Sequence, residues 1–132
     1  MLKFTKTSSK LEMEGVWLDY EDGAGDTIKL LVARSDGNIH YETKLTKLMA
    51  PHKKKIERGK SISNELAKKI ISQVLASEIL LGWDETKLIG DDEKPVRYSP
   101  EAALELLTYD NDLRDWLVDQ AGDQSNFLIQ KK

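Results

Sequence analysis

The sequence predicts a mainly helical α+β fold in which an N-terminal β-hairpin is followed by about four helices. Before residue 34, apolar and polar side chains alternate in two short segments, whereas after residue 38 apolar residues recur every three or four positions. At 132 residues the chain has the length of one domain, so we predict a single domain. Its predicted parts are a flexible N-terminus (1–12), the hairpin (13–34), a helical part (38–124) and a tail (125–132).

The hairpin is predicted by two segments of alternating apolar residues and by the Gly- and Asp-rich loop, 21–26, that separates them. The alternating apolar positions are Val16, Leu18 and Tyr20 in the first strand and Ile28, Leu30 and Val32 in the second. A two-stranded hairpin alone is only marginally stable in water. We therefore expect this hairpin to pack against the helical part of the chain.

The first helix of the helical part is predicted to begin after Asn38, because an asparagine side chain caps a helix N-terminus well. Pro51 lacks a backbone N–H group and should break or kink this helix. Ile56 extends the apolar face into a short basic helix that we expect to end near Gly59. The apolar face of the first helix consists of Tyr41, Leu45, Leu48 and Met49.

The clearest predicted helix covers residues 63–81, with Gly82 in the position after its last turn. One face of this segment is almost wholly apolar, and the opposite face carries lysine, serine and glutamine. The apolar stripe consists of Leu66, Ala67, Ile70, Ile71, Val74, Leu75 and Ile79.

A polar, turn-like segment, 84–98, separates this helix from two shorter ones. Ser99 and Pro100 form a strong helix start, because a hydroxyl group caps the N-terminus and proline suits the first helical position. The last helix is expected to begin near Asp110 or Asn111. Its apolar face consists of Leu113, Trp116, Leu117 and Ala121.

Composition excludes several classes of protein. Hydrophobic residues make up 39% of the chain and charged residues 33%. No apolar run approaches the ~18 residues of a membrane-spanning helix, and the first residues contain no apolar signal-peptide core. Cysteine is absent, which excludes disulfides, thiol nucleophiles and cysteine-ligated zinc. We expect a soluble intracellular protein that has no membrane partner.

The charged residues form two blocks of opposite sign within a net charge of −3. Residues 44–60 carry seven basic groups and one acid, a sum of +6, whereas residues 84–123 carry twelve acids and four bases, a sum of −8. Such blocks attract each other within one fold, form solvated helix faces, or steer a complementary partner. Nucleic acid is not the expected partner, because the chain is acidic overall and the basic block has no interleaved aromatic residues.

The sequence offers no catalytic constellation. His40 and His52 have neither the spacing of metal ligands nor an evident partner. There is no GxSxG nucleophile motif, and the loop at 21–26 lacks the GK[ST] ending of a phosphate-binding loop. Asp91 and Asp92 do not fit the ligand spacing of an EF-hand. We therefore expect no enzyme activity, no catalytic residue, no cofactor and no metal.

Aromatic and basic side chains remain as candidates for binding another protein, because aromatic residues dominate interface hot spots. Trp83 and Trp116 each have two interpretations, as part of the core or as an exposed anchor. Phe127 either folds back onto the chain or docks elsewhere. The candidate partner-binding residues are Trp83, Tyr98, Trp116, Phe127, Lys53, Lys54 and Lys55.

An ordered set of short motifs runs through most of the chain. The most specific part is the Gly-Trp pair at 82–83, followed by an acidic loop and then by PVRYSPE at 95–101. The other members are GVWL at 15–18, PHKK at 51–54 and LRDWL at 113–117. Over about residues 14–128, this set resembles the small tail assembly chaperones of long-tailed bacteriophages and prophages.

The resemblance implies a non-catalytic protein that binds the tape-measure protein, keeps this long helical protein soluble and helps to recruit tail-tube subunits. It also implies a location in the cytoplasm of the bacterial host and absence from the mature virion. In addition, the basic and acidic blocks predict self-association between neighbouring copies. Two alternatives stay open: a structural tail or head–tail connector protein, and a small phage-encoded inhibitor of a host protein.

Overall fold

The predicted fold class is confirmed, because the chain forms a three-stranded antiparallel sheet together with a set of helices. The structure, a computed structural model, describes residues 5–88 and 92–129. Parts of three predictions lie outside the described residues. These parts are residues 1–4 of the flexible N-terminus, residues 89–91 of the polar segment and residues 130–132 of the tail.

The helices and strands follow one another without long gaps until residue 83. A π-helical turn, Leu75–Ile79, continues the fourth helix, and 3₁₀ turns, Ala50–His52 and Gln124–Phe127, follow the second and the last helix. In chain order the elements are α1 (Ser9–Glu14), β1 (Val16–Glu21), β2 (Thr27–Val32), α2 (Ile39–Met49), α3 (Lys53–Glu57), α4 (Asn64–Val74), β3 (Leu80–Trp83), α5 (Pro100–Tyr109) and α6 (Asn111–Ala121).

β1 and β2 form the predicted antiparallel hairpin and pair residue for residue over their whole length. Asp22 closes the turn, because its Oδ1 accepts hydrogen bonds from the backbone N–H groups of Ala24 and Asp26, both at 2.9 Å. Leu30 and Val32 are buried on the inner face of the sheet, as their period-two spacing with Ile28 predicts.

The predicted helix over 63–81 is wrong in its last part. α4 ends at Val74, the π-helical turn follows, and the chain then enters β3, which pairs antiparallel with β2. Gly82, predicted to follow the helix end, lies within this strand. Residues 79–83 are nearly all apolar, and such a run does not distinguish a buried strand from a buried helix. The free edge of β2 decides the outcome, because its backbone groups need hydrogen-bond partners.

The predicted starts of the two last helices are confirmed. Ser99 Oγ accepts a hydrogen bond from the backbone N–H of Ala102 at 3.0 Å, and Pro100 occupies the first position of α5. Asp110 Oδ1 accepts a hydrogen bond from the backbone N–H of Leu113 at 3.0 Å and so caps α6. These local signals require no tertiary contact, which is why the sequence alone reveals them.

The core lies between the inner face of the sheet and the helices, and the π-helical turn occupies its centre. This turn packs against α2, α4, α5, α6 and β3. The largest fully buried side chains are Phe127, Leu30, Leu75, Ile79, Leu80, Leu107, Leu117, Val32 and Val74. The hairpin therefore packs on the helical part, as its marginal stability alone requires.

The two ends of the described chain meet. Thr7 pairs with Leu128 in an isolated antiparallel bridge, and the backbone N–H of Ser8 donates to the carbonyl of Phe127 at 2.8 Å. Ser8 also caps α1, so residues 9–14 are helical where the sequence predicted a flexible N-terminus up to residue 12. The segment has no apolar stripe, and contacts with the distant C-terminal part of the chain order it instead.

Candidate partner-binding surface

α2 and α3 form one helical arm, residues 39–57, that is interrupted at Pro51. Asn38 Oδ1 caps α2 by accepting hydrogen bonds from the backbone N–H groups of His40 and Tyr41, at 3.0 and 3.2 Å. The Nδ2 of Asn38 donates to the carbonyl of Arg34 at 2.8 Å and ties this cap to the end of the hairpin. Pro51 lies in the 3₁₀ turn after α2, so the predicted helix break is confirmed.

An apolar groove of about 550 Å³ lies between α2 and α3, and a hollow of about 400 Å³ adjoins it along α2. The groove and the hollow share Thr46, and we call them together the basic groove. The apolar lining comes from Ile39, Leu45, Met49, Ala50 and Ile56, and the charged lining from Glu42, Lys47, Lys53 and Glu57.

The protein's own chain leaves this arm largely uncovered. No residue of α2 or α3, both of which are described throughout, is buried. Ile39 is 67% exposed and Ile56 is 44% exposed. Tyr41 packs against the main core cluster, whereas Leu45 and Met49 are half-buried and lie outside that cluster. A contiguous apolar surface of this kind is typical of a binding site.

The arm that carries the basic groove has a net positive charge, although the groove lining itself holds two lysines and two glutamates. Lys53, Lys54 and Lys55 are exposed, and Lys53 makes one exposed ion pair with Glu57 at 3.9 Å. Within residues 5–88 and 92–129, no ion pair joins the basic block to the acidic block. The interpretation in which the two blocks attract each other within one fold therefore has no direct contact to support it.

Trp83 and Tyr98 form a structural pair that fastens the segment before α5 to β3. The Trp83 side chain is buried, its Nε1 donates to the carbonyl of Val96 at 2.9 Å, and its ring meets that of Tyr98 edge to face at 5.0 Å. The Tyr98 hydroxyl donates to the carbonyl of Leu80 at 2.5 Å. Burial raises the pKa of this hydroxyl above its usual value, and the Glu101 carboxylate raises it further.

Trp116 and Phe127 also belong to the packed interior: Trp116 lies against the core, and Phe127 lies within it. Trp116 is half-buried and meets Tyr20 edge to face, with ring centroids 5.1 Å apart. Burial and the nearby carboxylates of Asp110 and Asp112 raise the pKa of Tyr20. Phe127 is fully buried, so it folds back and its side chain has no surface to offer a partner.

The structure separates the predicted site residues into two groups. It places Lys53, Lys54 and Lys55 on the helical arm with the groove and places the four aromatic residues in or against the core. The apolar lining was not among the predicted site residues. A signal for it was present in the sequence, since the apolar face of α2 continues past Pro51 into a lysine-rich segment at Ile56.

A smaller exposed apolar feature lies on the outer face of the sheet. Trp17 is 52% exposed, and its ring lies over Gly82, where an added Cβ would be 3.8 Å from the ring. This feature consists of Trp17 and its half-buried cross-strand partner Leu31, whereas the basic groove extends over two helices. We therefore regard the basic groove as the better candidate for binding.

The described residues supply few groups for chemistry. They contain no cluster of three or more His, Cys, Asp or Glu side chains that could hold a metal ion. His40 is exposed on α2, and His52 is half-buried in the adjoining 3₁₀ turn. In the same parts of the chain, no helix is both long and apolar enough to cross a lipid bilayer.

A family profile described as YdaY prophage protein matches residues 36–132. The chain belongs to this prophage family. The matched region includes the whole α2–α3 arm and every later element, and the β1–β2 hairpin precedes it. No curated protein and no solved structure matches the chain. The family assignment agrees with the phage origin that the sequence motifs indicate.

Proposed function

We propose that this prophage protein is a non-catalytic tail assembly chaperone that binds the tape-measure protein, keeps it soluble and helps to recruit tail-tube subunits. The observation that carries the proposal is the basic groove, an apolar surface with basic side chains on an arm that has no buried residue. The order of motifs along the sequence and the prophage family support the same function. A chaperone for a helical client needs an accessible groove and no catalytic group.

Groove binding suits a client that would otherwise aggregate through an apolar helix face. Fully burying one Leu, Ile or Met side chain stabilises a complex by about 1.5–3 kcal/mol relative to leaving it exposed. The half-buried Leu45 and Met49 and the exposed Ile56 each contribute part of such a gain when a helix covers them. The neighbouring lysines accelerate the encounter with a client of opposite charge. This combination favours reversible binding, which an assembly chaperone requires.

The proposal extends to the location and the neighbours of the protein. It acts in the host cytoplasm while the tail is assembled and is absent from the finished virion. Neighbouring copies on one tape-measure molecule also contact each other through the basic and acidic blocks, because the blocks have opposite charge and no ion pair joins them within the described part of the chain.

Co-expression with the tape-measure protein of the same prophage tests the proposal. We expect the tape-measure protein to be insoluble alone and largely soluble when the full 132-residue chain is present. An I56E variant should lose this effect because it places a charge in the apolar groove. The matched control is V118E, since Val118 on α6 is also 44% exposed but lies outside the groove. Equal solubility with and without the chain would contradict the proposal.

Mass spectrometry of purified virions separates a chaperone from a structural tail or connector protein. The proposed function predicts that the chain is present in the lysate during assembly and absent from virions. Stoichiometric recovery in virions would instead identify a structural subunit. Tight binding to a host protein, without any effect on the solubility of the tape-measure protein, would identify the inhibitor alternative.

A further inference from the structure

Resting on the proposed function, we infer that the basic groove selects an acidic amphipathic helix, so the client segment carries carboxylates on both sides of an apolar stripe. The client helix needs an apolar stripe because the floor of the groove is lined by Leu45, Met49 and Ile56. The client helix needs carboxylates because the arm carries a net positive charge. The two properties together define the partner more narrowly than helical character alone.

The second property of the arm is its net positive charge. Residues 39–57 contain five basic groups, Lys44, Lys47, Lys53, Lys54 and Lys55, and two acids, Glu42 and Glu57, a sum of +3, and the basic residues Arg58 and Lys60 follow directly. Of these acids, Glu57 forms one weak exposed pair with Lys53. A client of like charge would therefore meet repulsion, and an acidic client would meet attraction, most strongly at the α3 end of the arm, where the lysines cluster.

The length of α2 limits how many turns of a client helix the groove covers. α2 has 11 residues and spans roughly 16 Å at ~1.5 Å per residue, which is about three turns of an opposing helix. Such a helix fills the groove when its apolar residues recur at i, i+3 or i+4, and i+7. The apolar floor formed by Leu45, Met49 and Ile56 matches a stripe of this kind.

Two other occupants fit the groove less well. Nucleic acid would present phosphates to an apolar floor, and no aromatic side chain lines the groove for base stacking. The outward face of α6 in a second copy carries Asp112, Asp115 and Asp119 but has only Val118 as an exposed large hydrophobic residue. That face matches the charge of the groove without filling its apolar floor.

Binding of designed peptides to the full chain tests the inference. One labelled peptide is an amphipathic helix with leucine every three or four positions and glutamate elsewhere, and the second has lysine in place of every glutamate. Fluorescence anisotropy at low salt should give at least about tenfold tighter binding of the acidic peptide, and added salt should weaken it. Equal or tighter binding of the basic peptide would overturn the inference.

Variants of the groove residues test whether the acidic peptide binds in the groove. The triple variant K53E/K54E/K55E should bind the acidic peptide at least about tenfold more weakly, as should I56E, whereas V118E should bind it normally. Because the three lysines are exposed, their replacement leaves the thermal unfolding midpoint unchanged, which separates lost binding from lost folding. Undiminished binding by both groove variants would overturn the inference.

Other occupants of the groove would give results that differ from those of an acidic helix. A single-stranded oligonucleotide that displaces the acidic peptide and binds more tightly would overturn the inference in favour of nucleic acid. Sedimentation showing self-association that I56E abolishes and the acidic peptide does not reverse would overturn it in favour of a second copy in the groove. If co-expression succeeds while the acidic peptide fails, the chaperone function stands and the inferred client chemistry is wrong. The opposite pair of results would keep the client chemistry and reject the tape-measure protein.

Discussion

At the scale of single residues, Gly15 has the most constrained backbone position between α1 and the sheet. Its φ of +90° and ψ of 165° lie in a region that essentially only glycine adopts, and an added Cβ would lie 3.0 Å from Cγ of Leu31. Gly25 in the hairpin turn shares a positive φ of +88° but has open space around it. An alanine at either position would have a strained backbone, but only an alanine at Gly15 would also overlap a neighbouring side chain.

We predict that G15A lowers the free energy of unfolding by about 1–3 kcal/mol more than G25A does, because only G15A adds overlap to strain. Urea denaturation followed by Trp fluorescence measures both values. Equal losses in the two variants would show that the side chain of Leu31 moves aside without cost.

Tyr98 links burial to the pH dependence of stability. Burial, followed by the charge of Glu101, raises the pKa of its hydroxyl above the usual 10.0. The folded state therefore binds this proton more tightly than the unfolded state does. The resulting stabilisation is fully present below pH 10 and is lost as the pH rises through the higher pKa of the folded state. Tyr20 and Tyr41, whose pKa values are also raised by burial, act in the same direction.

We predict that Y98F costs about 1 kcal/mol at neutral pH, because the carbonyl of Leu80 loses its donor. The same variant should lose less stability than the wild-type chain when the pH is raised above 10, since one titrating group is gone. Urea denaturation at neutral and alkaline pH checks both effects. Y109F is the matched control at neutral pH, where it should be neutral because Tyr109 is 81% exposed. An unchanged alkaline loss in Y98F would contradict the assignment.

At the scale of elements, Pro51 defines the groove by separating α2 from α3. We predict that P51A joins the two helices, raises the helical signal in circular dichroism and weakens binding of an acidic helix several-fold. P100A is the matched control, because Pro100 at the first position of α5 interrupts no helix. Unchanged binding by P51A would show that the interruption does not shape the groove.

Elements with local signals were predictable from the sequence, and those that depend on distant contacts were not. The hairpin, the break at Pro51 and the caps at Asn38, Ser99 and Asp110 each follow from nearby residues. The predicted helix runs into the first two residues of β3, because this apolar run acquires a strand conformation only by pairing with β2. α1 does not follow from the sequence, because this polar segment is held by contacts with distant residues, Arg34 after the hairpin and Phe127 and Leu128 near the C-terminus.

At the scale of the whole molecule, the same distinction explains how much of the candidate site the sequence revealed. The lysines were predictable, because charged side chains stay exposed in almost any fold. The aromatic candidates were ambiguous, because Trp83 and Phe127 become buried only when the sheet and both chain ends assemble. The lining residues Leu45 and Met49 belong to the predicted apolar face of α2, and a helical apolar stripe does not show which of its members the fold covers.

The central claim is that a partner polypeptide covers the α2–α3 arm, and hydrogen–deuterium exchange tests it most directly. Exchange is measured on the full chain alone and in its soluble complex with the tape-measure protein, with peptides that resolve the arm from the sheet. We predict that the complex slows exchange over residues 39–57 and leaves β1, with its exposed Trp17, unchanged. Slower exchange at β1 together with an unprotected arm would contradict the claim.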